Sequence, residues 1–179
     1  MTPTRTHFSP LARLLHWMMA PLIVAMLFVG VAMVATVSRA HNTLIAIHKP
    51  LGIALLLLVV LRVGVRITRG SPPLPDDMAT PQRIAAKASH LVLYALMVAM
   101  PLIGWAMLSA AGYPITLYGP LHLPPIVPHN VELFALLRAL HTWFALVLFA
   151  TVLLHLAAAL FHGLIRRDGV FSSMGRGGR

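Results

Sequence analysis

The stretch Ala139–Ile165, ALHTWFALVLFATVLLHLAAALFHGLI, decides the fold. It contains no Lys, Arg, Asp or Glu. At about 1.5 Å of rise per residue, a helix of that length crosses a hydrocarbon core of about 30 Å. Working outward, Leu14–Val37 and Ala88–Ala111 are equally free of charge, and Leu44–Ile67 is interrupted only by Lys49 near its start and by Arg62 and Arg66 near its end. Long cationic side chains at such positions reach the interface. Backbone groups in hydrocarbon must bond internally, and none of the runs shows the alternation of a membrane strand, so all four are expected to be helices. The predicted fold is an all-α integral membrane four-helix bundle. It forms a single membrane domain over residues 1–179, with spans at about 14–37, 44–67, 88–111 and 139–165.

Composition agrees with the pattern. The chain is 59% hydrophobic and 10% charged, with a mean hydropathy of +0.84, whereas a water-facing surface needs about a quarter to a third of its positions charged. The absence of cysteine excludes disulfides, thiolate zinc sites, iron–sulfur clusters, c-type haem attachment and a cysteine nucleophile. A net charge of +10 invites a nucleic-acid reading. That reading needs basic residues massed on one wet face, and here they flank apolar runs, so no nucleic-acid partner is expected. Arg5, Arg13, Arg62, Arg66, Arg69, Arg83, Lys87, Arg166, Arg167, Arg176 and Arg179 fall on one side of the predicted bundle. Only Arg39, Lys49 and Arg138 fall on the other. The bias predicts both termini to be cytoplasmic. The connection Ser38–Thr43 is short enough for an antiparallel helical hairpin. Thr68–Lys87 and the segment from Gly112 to about Leu136 are rich in proline, and read as an extended polar loop and an irregular connection.

Ionisable groups are costly to place in a bilayer, so each intramembrane histidine is a functional candidate. His7, His41, His122 and His129 lie in the tail or loops and read as solvated. His141 and His155 are fourteen residues apart on one helix. This spacing returns them to within about 40° of the same face and separates them by about 21 Å, too far to share one metal ion but suited to two planar cofactors at two depths. A low-spin haem takes two axial ligands from opposite sides. His48 opens the second span on the side where His141 opens the fourth, and His16 opens the first span toward His155. His162 is a rival to His155, but its distance from His141, about 31 Å of rise, is long for electron transfer. By the same depth counting, Gly30 leaves room beside the outer cofactor, and Arg62 lies level with the inner one as a propionate partner. The competing account is interhelical hydrogen bonding by buried histidines. Four histidines at paired depths, in a chain with almost no intramembrane acids, favour ligation.

With RLLHW at Arg13–Trp17, IHKPLG at Ile47–Gly52, SHL at Ser89–Leu91, PLIG at Pro101–Gly104, and His141, His155 and AAALFH ending at His162, the sequence resembles the bacterial cytochrome b561 family over essentially its whole length. The resemblance implies a multi-pass protein of the bacterial inner membrane with two haem b groups, ligated by His48 with His141 and by His16 with His155. It further implies electron exchange with ubiquinone near the cytoplasmic haem and, for some members, oxidation of superoxide at the outer haem. On that reading His90 and His162 are candidate quinone-site residues, and Arg39, Lys49 and Arg138 candidate steering charges for an anionic donor. Similar bundles serve as haem b anchor subunits that pass electrons between a soluble dehydrogenase or hydrogenase and the quinone pool. Histidine spacing does not separate these roles.

Overall fold

A computed structural model describes residues 7–175; Arg5, Arg176 and Arg179, counted above in the charge bias, lie outside the described residues. The chain forms α1 (Pro10–Ala35), α2 (Arg39–Arg69), α3 (Thr80–Ala110), a hairpin of β1 (Ile115–Tyr118) and β2 (Leu121–Leu123), then α4 (Val131–Leu160). A π-helical turn (Phe161–Arg166) and the short α5 (Val170–Gly175) follow.

Three of the four long helices begin at a side-chain cap, while α3 begins after Ala79 with Pro81 in its first turn. The Ser9 hydroxyl accepts from the Ala12 N–H at 3.3 Å with Pro10 in the first turn, the Ser38 hydroxyl accepts from Ala40, and Asn130 Oδ1 accepts from the Leu133 N–H at 2.8 Å. These caps satisfy donors that a helix start leaves unpaired. α2 ends on Gly70 at φ 70°, whose N–H returns to the Arg66 carbonyl, with Arg66 and Arg69 in the last turn where the helix dipole favours cations. Pro21, Pro50 and Pro101 sit inside continuous helices, as membrane helices tolerate.

The helices run past the apolar runs that announced them. α3 starts at Thr80 rather than Ala88 and α4 at Val131 rather than Ala139. Hydropathy marks the bilayer core, while polar residues such as Gln82, Arg83 and Lys87 remain helical at its edge. The connection expected to be irregular carries a two-stranded antiparallel hairpin, Ile115 opposite Leu123 and Thr116 opposite His122, turning through Gly119 at φ 50°. Proline density hid the strand-forming run ITLY. The last span also departs from a plain α-helix: it widens to a π turn that closes on Arg167, at φ 52°, whose N–H bonds the His162 carbonyl at 2.8 Å.

α1 packs on α2, α3 packs on α4, and α2 joins α3. A cluster of Leu93, Leu96 and Leu148, flanked by Leu27, Met97, Met100, Phe144 and Val152, holds the centre. Outward-facing side chains such as Phe28 and Leu154 are apolar and exposed, as a lipid-facing surface requires. All four long helices are long and apolar enough to cross a membrane. The starts of α1 and α3 share one end with the close of α2 and of the π turn, here the terminal end. The hairpin lies at the opposite end, with β1 packed on α2 and α3. At the terminal end α5 folds back onto α1: the Trp17 indole N–H donates to the Met174 carbonyl at 3.0 Å, and the Phe8 N–H to the Ser173 carbonyl at 3.2 Å.

Candidate functional site: two imidazole pairs

α4 presents one histidine toward each end of the bundle, and each meets a histidine from the α1–α2 hairpin. The His48 and His141 ring centres are 6.2 Å apart, and those of His16 and His155 are 6.3 Å apart. Two metal–imidazole bonds of about 2 Å, with about 1.1 Å from each bonding nitrogen to its ring centre, span about 6.2 Å in a line. The separation within each pair matches that of two imidazoles sharing one metal. Among the described residues no cluster of three or more His, Cys, Asp or Glu could hold a bare ion. A metal at these sites must bring its remaining ligands with it, as the four nitrogens of a porphyrin do. The residues present fit haem iron.

A buried polar atom supports that fit. Nδ1 of His48 is buried with no hydrogen-bond partner. An orphaned buried imidazole nitrogen costs stability unless the ring is used for something else. A Cβ built on Gly104 would meet His141 Cε1 at 3.4 Å, so the residue at 104 sets how closely α3 approaches that ring. A Cβ built on Gly30 meets no atom within 4 Å, so the space beside it is open.

The terminal-end pair sits in a cationic and aromatic setting. The Arg62 Nε–H donates to the Tyr94 hydroxyl at 3.1 Å and its Nη1 donates to the Ala12 carbonyl at 2.7 Å, which ties α2 to α3 and α1. Arg66 lies over the Tyr94 ring at 5.5 Å. Arg13, one turn before His16, has its Nε buried without a partner. Trp17 meets the His16 ring edge-on at 5.4 Å. His90 lies 5.3 Å from His155, with its Nδ1 2.6 Å from the Ala86 carbonyl.

His162 is elsewhere. Its Nδ1 is 2.6 Å from Asp168 Oδ2, and Asp168 also receives Arg166 Nε at 3.2 Å. Arg166 reaches across to Asp77 Oδ2 at 2.8 Å and Gln82 Oε1 at 2.9 Å. Hydrogen bonding from the Arg166 guanidinium holds the exposed Asp77 carboxyl below the usual carboxylate range. At the hairpin end, Arg39, Lys49 and Arg138 form no ion pair among the described residues, and Lys49 adjoins His48 while Arg138 lies one turn before His141.

The structure thus brings together His48 with His141, and His16 with His155, His90 and Arg62. It does not bring His162 to His155. Three residues went without a role in the sequence: Tyr94, Gly104 and Asp168. Gly104 lay inside the quoted PLIG motif. Asp168 is one of only four acidic residues, and scarcity was the available signal.

Residues 7–177 match the family model described as prokaryotic cytochrome b561. The chain is 30% identical to "Cytochrome b561 homolog 2" of Escherichia coli (strain K12), covering 97% of this chain and 93% of that protein. It is 26% identical to "Cytochrome b561 homolog 1" of the same organism, over 93% of this chain and 96% of the relative. A "Probable superoxide oxidase CybB" from Yersinia pestis is 27% identical over 89% of this chain and 90% of its own length. With four apolar helices and bacterial relatives, the chain is a multi-pass protein of the bacterial inner membrane. It belongs to the prokaryotic cytochrome b561 family, as a membrane electron-transfer protein with an oxidoreductase role.

Proposed function

We propose that this chain binds two haem b groups, one between His48 and His141 and one between His16 and His155, and moves electrons across the membrane from superoxide to ubiquinone. The observation that carries the reading is the pair of ring separations, 6.2 and 6.3 Å, one near each end of the bundle. Haem iron supplies the chemistry of accepting and releasing one electron at a time; the protein supplies position, charge and proton access. Two superoxide ions each lose one electron and leave as dioxygen. One quinone takes up those two electrons and two protons to give the quinol.

In this reading the terminal end is cytoplasmic and the hairpin end faces out. Lys49 and Arg138 beside the outer pair, with Arg39 nearby, attract an anionic donor, because an unpaired positive field raises its encounter rate. Arg62, fixed by Tyr94 and the Ala12 carbonyl, places positive charge against the inner pair, where it suits a propionate. Gly30 leaves space beside the outer group. His90 and His162 flank the inner side as hydrogen-bond partners for the quinone.

The test uses the chain purified alone. Superoxide is expected to reduce its haem, and a soluble ubiquinone analogue to reoxidise it. Haem that quinone reoxidises but superoxide leaves untouched would instead assign the donor role to a soluble redox subunit, with this chain as its anchor.

A further inference from the structure

Resting on the reading that His162 faces the quinone, we infer that Asp168 is a positioning residue for quinone reduction. Its carboxylate holds the Nδ1–H of His162 and leaves Nε2 as the nitrogen turned to a quinone oxygen. A carboxylate only accepts hydrogen bonds, so the 2.6 Å contact between Asp168 Oδ2 and His162 Nδ1 requires the imidazole to donate there. The two oxygens of Asp168 divide their work. Oδ1 accepts the Val170 N–H at 3.2 Å and caps α5, a purely structural bond, whereas Oδ2 goes to His162. Arg166 Nε, at 3.2 Å, fixes the same Oδ2, and Arg166 is itself anchored to Asp77 in the α2–α3 connection and to Gln82 of α3. The Asp168 side chain is only 8% exposed, so water does not compete freely for it.

The local backbone is built around this contact. The π turn widens the helix at Phe161–Arg166, and such turns are common at functional sites. A pocket of about 190 Å³ opens beside it, lined by His162, Gly163, Gly169 and Phe171 among others. Any Cβ at position 163 would come within 3.0 Å of the Phe171 ring, so glycine there lets α5 close the pocket wall. A quinone headgroup is of a size to enter such a space. As quinone becomes quinol by taking up two electrons and two protons, a proton taken up at His162 Nε2 from the aqueous side passes to one quinone oxygen and is replaced from water. The second proton comes from water directly.

The test compares Asp168→Asn, Asp168→Glu and His162→Gln as haem-loaded full chains. The first readout is the ¹⁵N NMR tautomer of His162 at alkaline pH, assigned by its absence from His162→Gln. Nδ1–H is expected in the parent and loss of that fixed tautomer in Asp168→Asn. The second is kcat and KM for haem reoxidation by a soluble ubiquinone analogue, normalised to haem. Asp168→Asn is expected to lower kcat about tenfold with KM little changed, as removal of a group that orients another typically does, and Asp168→Glu to recover part of the loss. If His162→Gln is slow while Asp168→Asn matches the parent, the role of Asp168 is overturned and the quinone reading survives. If His162→Gln also matches the parent, the quinone placement itself fails. Equal losses in Asp168→Asn and Asp168→Glu, or an Nε2–H tautomer in the parent, would also overturn the assignment.

Discussion

His141 and Gly104 meet across α3 and α4, with the position of a Cβ at 104 falling 3.4 Å from the imidazole Cε1. That distance is ordinary van der Waals contact for one methyl group and leaves nothing for a second. Gly104→Ala is therefore expected to keep haem at the outer pair, and Gly104→Val to push the His141 ring off its line with His48 and lower haem content toward one per chain. Haem-to-protein ratios of the two variants check this.

On the proposed reading, removing one imidazole would leave its haem with one protein ligand instead of two. His141→Ala and His155→Ala are each expected to lose about one haem and keep the other, because the two pairs lie about 21 Å apart along α4. Retention of both haems in either variant would contradict the assignment of that ligand.

The reach of sequence reasoning here follows from what hydropathy and spacing report. A charge-free run such as Ala139–Ile165 can satisfy its backbone in lipid only as a helix, so the four spans were legible. The period of the helix carried His141 and His155 to one face, and their partners followed from depth. Spacing along one helix says nothing of what a loop returns to it. The Asp168 contact with His162, the fold-back of α5 onto Trp17 and the β1–β2 hairpin all depend on chain reversals, where a left-handed residue such as Arg167 or Gly119 redirects the backbone. Tyr94 was silent because its role lies in the Arg62 hydrogen bond.

Arg62 places a fixed cation against the inner pair, and a cation beside a haem favours the reduced form. Arg62→Gln is expected to lower the inner haem potential by roughly 60 mV, one decade in a one-electron equilibrium, while the outer haem stays where it was. A spectroelectrochemical titration resolving the two components checks this.

The tie between Arg166 and Asp77 responds to acid. The Asp77 carboxyl is held below its ordinary value of 3.8, so the folded state binds its proton less readily than the unfolded chain does. The resulting stabilisation is present above that value and is lost as pH falls through the lowered folded-state value. Both the exposure of Asp77 and salt screening keep the effect small. Asp77→Asn is expected to melt slightly below the parent at neutral pH and to coincide with it in strong acid. Paired thermal melts at the two pH values read the difference.

Among the described residues Lys49 and Arg138 form no ion pair, so their field is available to an incoming anion. Reversing both charges, Lys49→Glu with Arg138→Glu, is expected to slow reduction by superoxide several-fold at low ionic strength. Added salt should bring variant and parent together. Stopped-flow rates across a salt series check it.

The most direct measurement is the haem content and low-temperature EPR spectrum of the oxidised, purified chain. Paired imidazoles at 6.2 and 6.3 Å predict two haem b per polypeptide, both low-spin with two nitrogen axial ligands. A chain produced with ample iron and porphyrin that carries no haem, or only high-spin iron with one protein ligand, would contradict the account.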